Sequence, residues 1–396
     1  MGKSWKMAAL AMVGVYLFFA LIHLFMQRPL WNDEACVLRS ISFFSTKELF
    51  TEQLRMYQVF PRVYLWCIQQ VSSFFLYSVL SLRAIPFMAM VAAFFIWLSL
   101  AGRELRKGRL FFLFVLSWSS SAFLVYYAAE LKQYSFDVLA AAIFLLYLRH
   151  QQELFRNMSR LKYGIVLCSL PFLCFFSYPA FLFLVFPLWN VIRDIRERPQ
   201  QWPVLAWYVL TCVAVVSCSY WFDMRLRGTV VVIGYADYFI SVRSVGEFLK
   251  TFGEGLNSLV GRWFAEEPRW VRFLSRFFMV FAMAQMFLGW RRAWKEEGRR
   301  FGSIATVAMF VFFELCVLGL FKFYPFIVPR TVLFFCPVLI VLMLKAFDGI
   351  EAMKPRIGLI MQAIYGIFLL VMLTGVGQAL WRGYLSVDLT PYLLRF

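Results

Sequence analysis

Charge is scarce in this sequence. Acidic and basic residues make up 16% of its 396 residues, and 62% are hydrophobic. Soluble domains carry about a quarter charged residues, so an ordinary soluble globule and a disordered chain are both excluded. The composition is that of a polytopic membrane protein. Histidine is nearly absent, with His23 and His150 alone, too few for a histidine-built metal site. There is no G-x-x-x-x-G-K-[ST], no G-x-G-x-x-G after a strand and no H-E-x-x-H, which leaves nucleotide-loop and zincin chemistry without support. The eight cysteines form no C-x-x-C pair. Seven lie in apolar or amphipathic runs and read as buried soft hydrophobes. Cys36, beside Glu34 in a loop, has no assigned role.

The charge that is present is strongly positive, +18 net. It sits in short clusters between apolar runs, which points to membrane topology and anionic lipid rather than nucleic acid. Runs of about 17–25 apolar residues are candidate spans. Eleven are expected: Met7–Gln27, Arg83–Ala101, Leu110–Tyr127, Tyr134–Leu148, Leu161–Ser177, Ala180–Ile192, Trp202–Trp221, Arg272–Trp290, Phe301–Leu320, Thr331–Phe347 and Ile357–Leu380. The runs from Tyr134 and Ala180 are short for a crossing. The expected fold is an all-α polytopic membrane protein of about eleven transmembrane helices, a single domain over residues 1–396 with no soluble C-terminal domain. No internal repeat is found, which weakens an inverted-repeat transporter reading. The first run exceeds the roughly 7–15 residues of a signal-peptide core and lacks an A-x-A-like site, so it is expected to stay as an uncleaved span.

Phe60–Val79 carries Arg62, Gln69, Gln70, Ser72 and Ser73, which suits an amphipathic helix along the interface better than a span. The basic clusters Arg103–Arg109, Arg149–Lys162, Arg193–Arg198, Arg291–Arg300 and Lys345–Arg356 then share one side with Lys3 and Lys6. That side is cytoplasmic by the positive-inside rule. The outer face receives the loops 28–82 and 222–271, short turns near Glu130 and Arg330, and the C-terminal tail. Ser45-Thr-Lys-Glu48 and Ser244-Val-Gly-Glu247 are capping-box patterns, each opening an amphipathic outer helix.

The ionisable residues of that face are few. Asp33 and Glu34 follow the first span in "PLWNDEAC"; Glu130, Lys132 and Tyr134 stand in "YYAAELKQYS"; Lys322, Tyr324 and Arg330 stand in "KFYPFIVPRT". Carboxylates gathered at a membrane surface can act as general bases, and Lys or Arg can hold a phosphate. Position alone leaves Asp33 and Glu34 as either hydrated loop charges or an active site. Arg330 could equally be a snorkelling anchor, and His23 fits a satisfied buried histidine better than a catalytic one.

In order along the chain, "LWNDEA", "VFPRVYLW", "SLRAIPFMAMVAAFFIWLSLAGREL", "AFLVYYAAELKQYSFDVLAA", "FSYPAFLFL" and "YPFIVPRTVLFFCPVL" resemble the GT-C superfamily of membrane glycosyltransferases. The likeness is to its polyprenyl-phosphate-sugar-dependent branch, which includes protein O-mannosyltransferases and bacterial enzymes that add sugars to lipid A or other envelope glycans. The resemblance implies catalytic roles for Asp33, as the base that activates the acceptor, and for Glu130. It implies phosphate contacts for Lys132 and Arg330, and pocket positions for Glu34 and Tyr134. Val59-Phe60-Pro61-Arg62 stands where relatives carry His-Pro-Pro, so Arg62 is expected to replace those contacts.

The expected function is therefore transfer of a sugar, with inversion, from a polyprenyl-phosphate carrier to a lipid-linked or envelope glycan acceptor on the outer face of a bacterial inner membrane. Membrane lipids are the expected surroundings. A transporter or flippase for a lipid-linked saccharide is the alternative. No metal or other cofactor is expected, although Asp33, Glu34 and Glu130 together could hold a divalent cation. In a cysteine-free background, a single cysteine in the Arg103–Arg109 loop is expected to resist a membrane-impermeant thiol reagent added from outside. Labelling there would reverse the topology.

Overall fold

The computed structural model describes residues 3–225, 236–260, 263–265, 268–296, 300–383 and 385–386. Parts of the expected outer loop 222–271 and most of the tail 382–396 lie outside these residues. The described chain is helical throughout its regular structure. Helix α1 (Lys3–Phe25) leads into a group of α2 (Asn32–Phe43), α3 (Thr46–Thr51) and α4 (Arg62–Ser73). Next come α5 (Val79–Glu104), α6 (Gly108–Ser120), α7 (Ala122–Tyr126), α8 (Tyr134–Asn157), α9 (Arg160–Ser169), α10 (Ala180–Phe183), α11 (Val185–Glu197) and α12 (Trp202–Ser219). The last five are α13 (Val245–Val260), α14 (Arg269–Glu296), α15 (Ile304–Leu320), α16 (Cys336–Met353) and α17 (Pro355–Trp381).

The expected eleven transmembrane helices are not there. Among the described residues, six helices are long and apolar enough to cross a membrane: Ser4–Phe25, Val79–Glu104, Pro199–Met224, Arg269–Glu296, Pro329–Met353 and Pro355–Trp381. A seventh is counted if Gly108–Ser120 and Ala122–Ala129, bent by 60°, form one span. The reason is that hydropathy sees composition and not helix breaks. The run Leu161–Ser177 divides into α9, ten residues long, and the 3₁₀ turn Leu170–Phe175 with Pro171 at its start. Pro179 precedes the four-residue α10; a proline supplies no backbone donor and does not sit inside a helix without breaking its bonding. Helix α11 is amphipathic and ends in Arg-Asp-Ile-Arg-Glu. Helix α8 has 24 residues but turns polar from Arg149, and α15 has 17.

The segment Phe60–Val79 forms the twelve-residue α4, about 18 Å long at 1.5 Å per residue and too short to cross. Its inner face buries Tyr64, Leu65 and Ile68 in a small core with Val37, Ile41 and Leu49, separate from the main one. The Gln69 amide donates to the carbonyls of Ile41 and Phe44 at 2.9 and 2.6 Å, pinning α4 to the end of α2. The first capping box forms in full, and the second forms only its N-cap half, with the Glu247 carboxylate accepting from the Ser241 hydroxyl instead. Ser45 accepts from the Glu48 N–H while the Glu48 carboxylate accepts from the Ser45 N–H at 2.8 Å. The Ser244 hydroxyl accepts from the Glu247 N–H at 3.1 Å before α13.

Helix α5 sets the axis. Its 26 residues span about 39 Å, with Arg83 near one end and Glu104 at the other. Around Glu104 the basic clusters meet: Lys345 reaches it at 2.5 Å and Arg149 at 3.7 Å. Lys107 binds Asp348 at 2.7 Å and Glu351 at 3.1 Å, and Arg109 also binds Glu351. These pairs are partly exposed, so each adds little stability; their value is in marking the basic end. The opposite end of α5 holds the other concentration of charge.

Candidate active site

The turn that closes α1 leads through Gln27, which takes a positive φ of 45°, to Trp31, the residue before α2. The first turn of α2 is Asn32-Asp33-Glu34, and acids are favoured at that end of a helix by its dipole. The two acids then part company. Glu34 is fully buried. Its carboxylate takes Arg83 Nε at 3.0 Å and Nη2 at 2.7 Å, Arg28 Nη1 at 2.9 Å and the Leu131 N–H at 2.9 Å. The Trp31 N–H adds a longer bond at 3.4 Å. Glu34 therefore joins the end of α1, the start of α2, the start of α5 and the loop before α8.

Asp33 points the other way and is partly exposed. Its Oδ2 accepts from Lys132 Nζ at 2.9 Å and lies 3.4 Å from Arg330 Nη1. The Trp31 ring backs both cations, with Lys132 Nζ 5.8 Å and the Arg330 guanidinium carbon 5.5 Å from its centroid. Phe60 faces Lys132 at 5.2 Å. These are cation–π distances, and they hold each cation without spending its hydrogen-bond donors. The Trp31 indole N–H donates to Glu130 Oε1 at 3.1 Å, while Glu130 Oε2 is buried without a partner.

Burial raises the Glu130 carboxyl to about 7, and the neighbouring Glu34 charge adds to it, against the pull of Lys132, Arg28 and Arg330. Burial also lowers the Lys132 ammonium, with Asp33 and Glu130 opposing. Two cavities meet here. The first, about 950 Å³ with its mouth, is bordered by Lys132, Tyr134, Asp137 and Arg330. The second, about 1260 Å³ with its mouth, is bordered by Trp31, Tyr126, Asp237 and Arg330. Tyr238, Val328 and Arg330 belong to both. Asp33 borders neither, but it is bound to Lys132 of the first and to the shared Arg330.

The structure thus brings Asp33, Glu130, Lys132 and Arg330 together, with Tyr134 in the wall of the first cavity. Glu34 lies behind them with both oxygens taken. Arg62 is turned away: it is buried, donates from Nη1 to the Leu49 carbonyl at 2.6 Å and borders neither cavity. His23 is buried against the Tyr126 carbonyl at 3.1 Å. Among the described residues no three acidic, histidine or cysteine side chains converge as a metal would need. Sequence reasoning passed over Trp31, Arg28 and Arg83. The available signal was a lone Arg83 at the head of an apolar run, since an arginine at that depth is costly unless paired.

No family model and no curated protein sequence matches the chain. Solved structures do. ArnT from Cupriavidus metallidurans bound to undecaprenyl phosphate superposes with a TM-score of 0.52 at 14% identity, over 100% of this chain and 75% of that one. The apo state of the same protein gives 0.52 at 13% identity, over 97% and 74%. The chain has an ArnT-like fold. At such identity the likeness concerns architecture alone.

Removing one partner of a buried ion pair costs about 3–5 kcal/mol, while replacing both by apolar groups costs far less. Glu34→Ala and Arg83→Met are each expected to lower Tm markedly, and Glu34→Met/Arg83→Met to recover part of the loss. Additive losses in the double variant would remove Glu34 from its joining role. Glu130 gives a pH signature. Its carboxyl titrates near 7 when folded and near 4.5 when free, so between those values the folded chain keeps a proton that the unfolded chain has lost. Stability therefore falls as pH rises from about 4.5 to about 7, by on the order of 3 kcal/mol. Glu130→Gln keeps an acceptor for Trp31 and is expected to flatten the Tm profile across that window.

Proposed function

We propose that this protein is a membrane glycosyltransferase. It moves one sugar from a polyprenyl-phosphate carrier to a lipid-linked or cell-envelope glycan acceptor on the outer face of a bacterial inner membrane. The observation that carries the reading is the contact of Asp33 with both Lys132 and Arg330 where two cavities meet. An anionic donor and a hydroxyl-bearing acceptor each need a chamber, and the reacting atoms must meet at a shared wall. The ArnT-like fold, seen in a protein bound to undecaprenyl phosphate, supports the choice of carrier.

The proposed chemistry is a single displacement. An acceptor hydroxyl oxygen attacks the anomeric carbon, and the bond from that carbon to the phosphate oxygen breaks from the opposite side. The electron pair leaves with the polyprenyl phosphate, and the hydroxyl proton passes to Asp33. Lys132 and Arg330 stabilise the charge that grows on the departing phosphate. In the structure these cations are counter-ions to Asp33 Oδ2. A bound phosphate competes for them and releases the carboxylate for its role as base. Glu130 holds Trp31, and through it the aromatic backing of both cations. Glu34 fixes the backbone on which Asp33 and Lys132 stand, and Tyr134 shapes the donor chamber.

Purified protein in detergent should transfer sugar from a polyprenyl-phosphate sugar to acceptor lipid, a setting in which a flippase has no compartments to act between. Asp33→Asn is expected to lower kcat by about 10³-fold, within the range for removal of a general base, with donor KM changed only a few-fold. Full transfer by a normally folded Asp33→Asn would end the base assignment.

A further inference from the structure

Gln133 and Asp137 stand four residues apart where α8 begins, a spacing that puts two side chains on one helix face. Both border the first cavity. Asp137 is 2% exposed, with the Ser177 hydroxyl beside its carboxyl group; its Oδ1 and the Gln133 Oε1 make no hydrogen bond of good geometry. Two neighbouring hydroxyls of that wall are already bonded. The Tyr324 hydroxyl donates to the Thr331 carbonyl at 2.5 Å. The Thr331 hydroxyl donates to the carbonyls of Pro325 and Val328 at 2.6 and 2.7 Å. Lys132 and Arg330 are engaged by Asp33. A buried acceptor without a donor costs stability, and an unsatisfied buried group in a folded protein asks for a reason. Here a reason is beside it: the cavity that Asp137 and Gln133 border also presents two cations. A ligand that fills it carries an anion at one end and hydrogen-bond donors at the other.

We propose that Gln133 and Asp137 bind ring hydroxyls of the phosphate-linked sugar and so select the sugar, while Lys132 and Arg330 hold its phosphate. The inference rests on the donor-site reading above and adds the residues that read the transferred group. A site built to receive hydroxyls discriminates strongly against a ligand without them, because its own polar groups are then left buried and unpaired.

Binding, which needs no turnover, tests it. The intact protein in nanodiscs is titrated with undecaprenyl phosphate and with undecaprenyl phosphate linked to glucose, galactose or mannose. Wild type is expected to prefer at least one glycosylated form over the bare phosphate by about ten-fold, equivalent to about 1.4 kcal/mol. Asp137→Leu should erase that preference, leave affinity for the bare phosphate unchanged and raise Tm, since it removes an unpaired buried carboxylate. Asp137→Asn keeps an acceptor and should retain most of the preference. A preference that survives Asp137→Leu, or no preference in wild type, overturns the inference and leaves the donor-site reading standing. Equal losses in the Asn and Leu variants would mean that a cationic group is read, which overturns the hydroxyl assignment. Weaker binding of the bare phosphate by Asp137→Leu would mark a structural role and overturn it too. Wild type that binds neither lipid class overturns the donor-site reading and this inference together.

Discussion

The Glu34 carboxylate lies beyond the reach of water, and the segments around it are arranged to keep it satisfied. A charge in that position is tolerable only with several close donors. Arg83 supplies a bidentate contact, Arg28 a second cation and Leu131 a backbone N–H. Each donor belongs to a different part of the chain, so satisfying one side chain fixes the end of α1, the first turn of α2, the start of α5 and the loop before α8. The register follows from adjacency. Because Glu34 binds Leu131, the next residue back, Asp33, meets the next residue on, Lys132. The contact proposed to do the chemistry is a neighbour of the contact that holds the structure.

Electrostatics at the site favour an anion. Arg28, Arg83, Lys132 and Arg330 face Asp33, Glu34 and Glu130. Burial drives Glu130 towards its neutral form. The positive excess is then placed by aromatic rings rather than by further carboxylates, which leaves donors on Lys132 and Arg330 for a ligand. Asp33 restrains both cations. In the proposed reaction, a phosphate that displaces it would form its contacts and free the base in one event.

The parts of this arrangement that were legible in sequence are those set by local chemistry. Ser45 and Glu48 formed their box because the signal spans three residues and needs nothing else. The Phe60–Val79 segment formed a short amphipathic helix because its polar residues recur at helical spacing. Asp33, Glu130, Lys132 and Arg330 were named from motifs and the topology that groups them. Arg62 was expected in the pocket because it stands beside a proline in a recognisable stretch. It turned instead to the Leu49 carbonyl, since a buried guanidinium takes the acceptor that tertiary packing brings to it. Glu34 was expected to touch substrate, yet every lone pair that faces inward already has a donor.

Sequence by itself determined that the chain lives in a membrane, is helical, gathers its basic clusters and opens its outer helices with particular caps. These follow from composition, periodicity and residues a few positions apart. The number of crossings was decided elsewhere. Eleven apolar runs became six long apolar helices, or seven with the bent pair, because prolines and packing break runs that hydropathy averages together. Tertiary structure alone separated Asp33 from Glu34. Burial and hydrogen-bond partners come from residues far along the chain, here Arg83, Leu131, Lys132 and Arg330, and no local pattern encodes which of two adjacent acids will meet them.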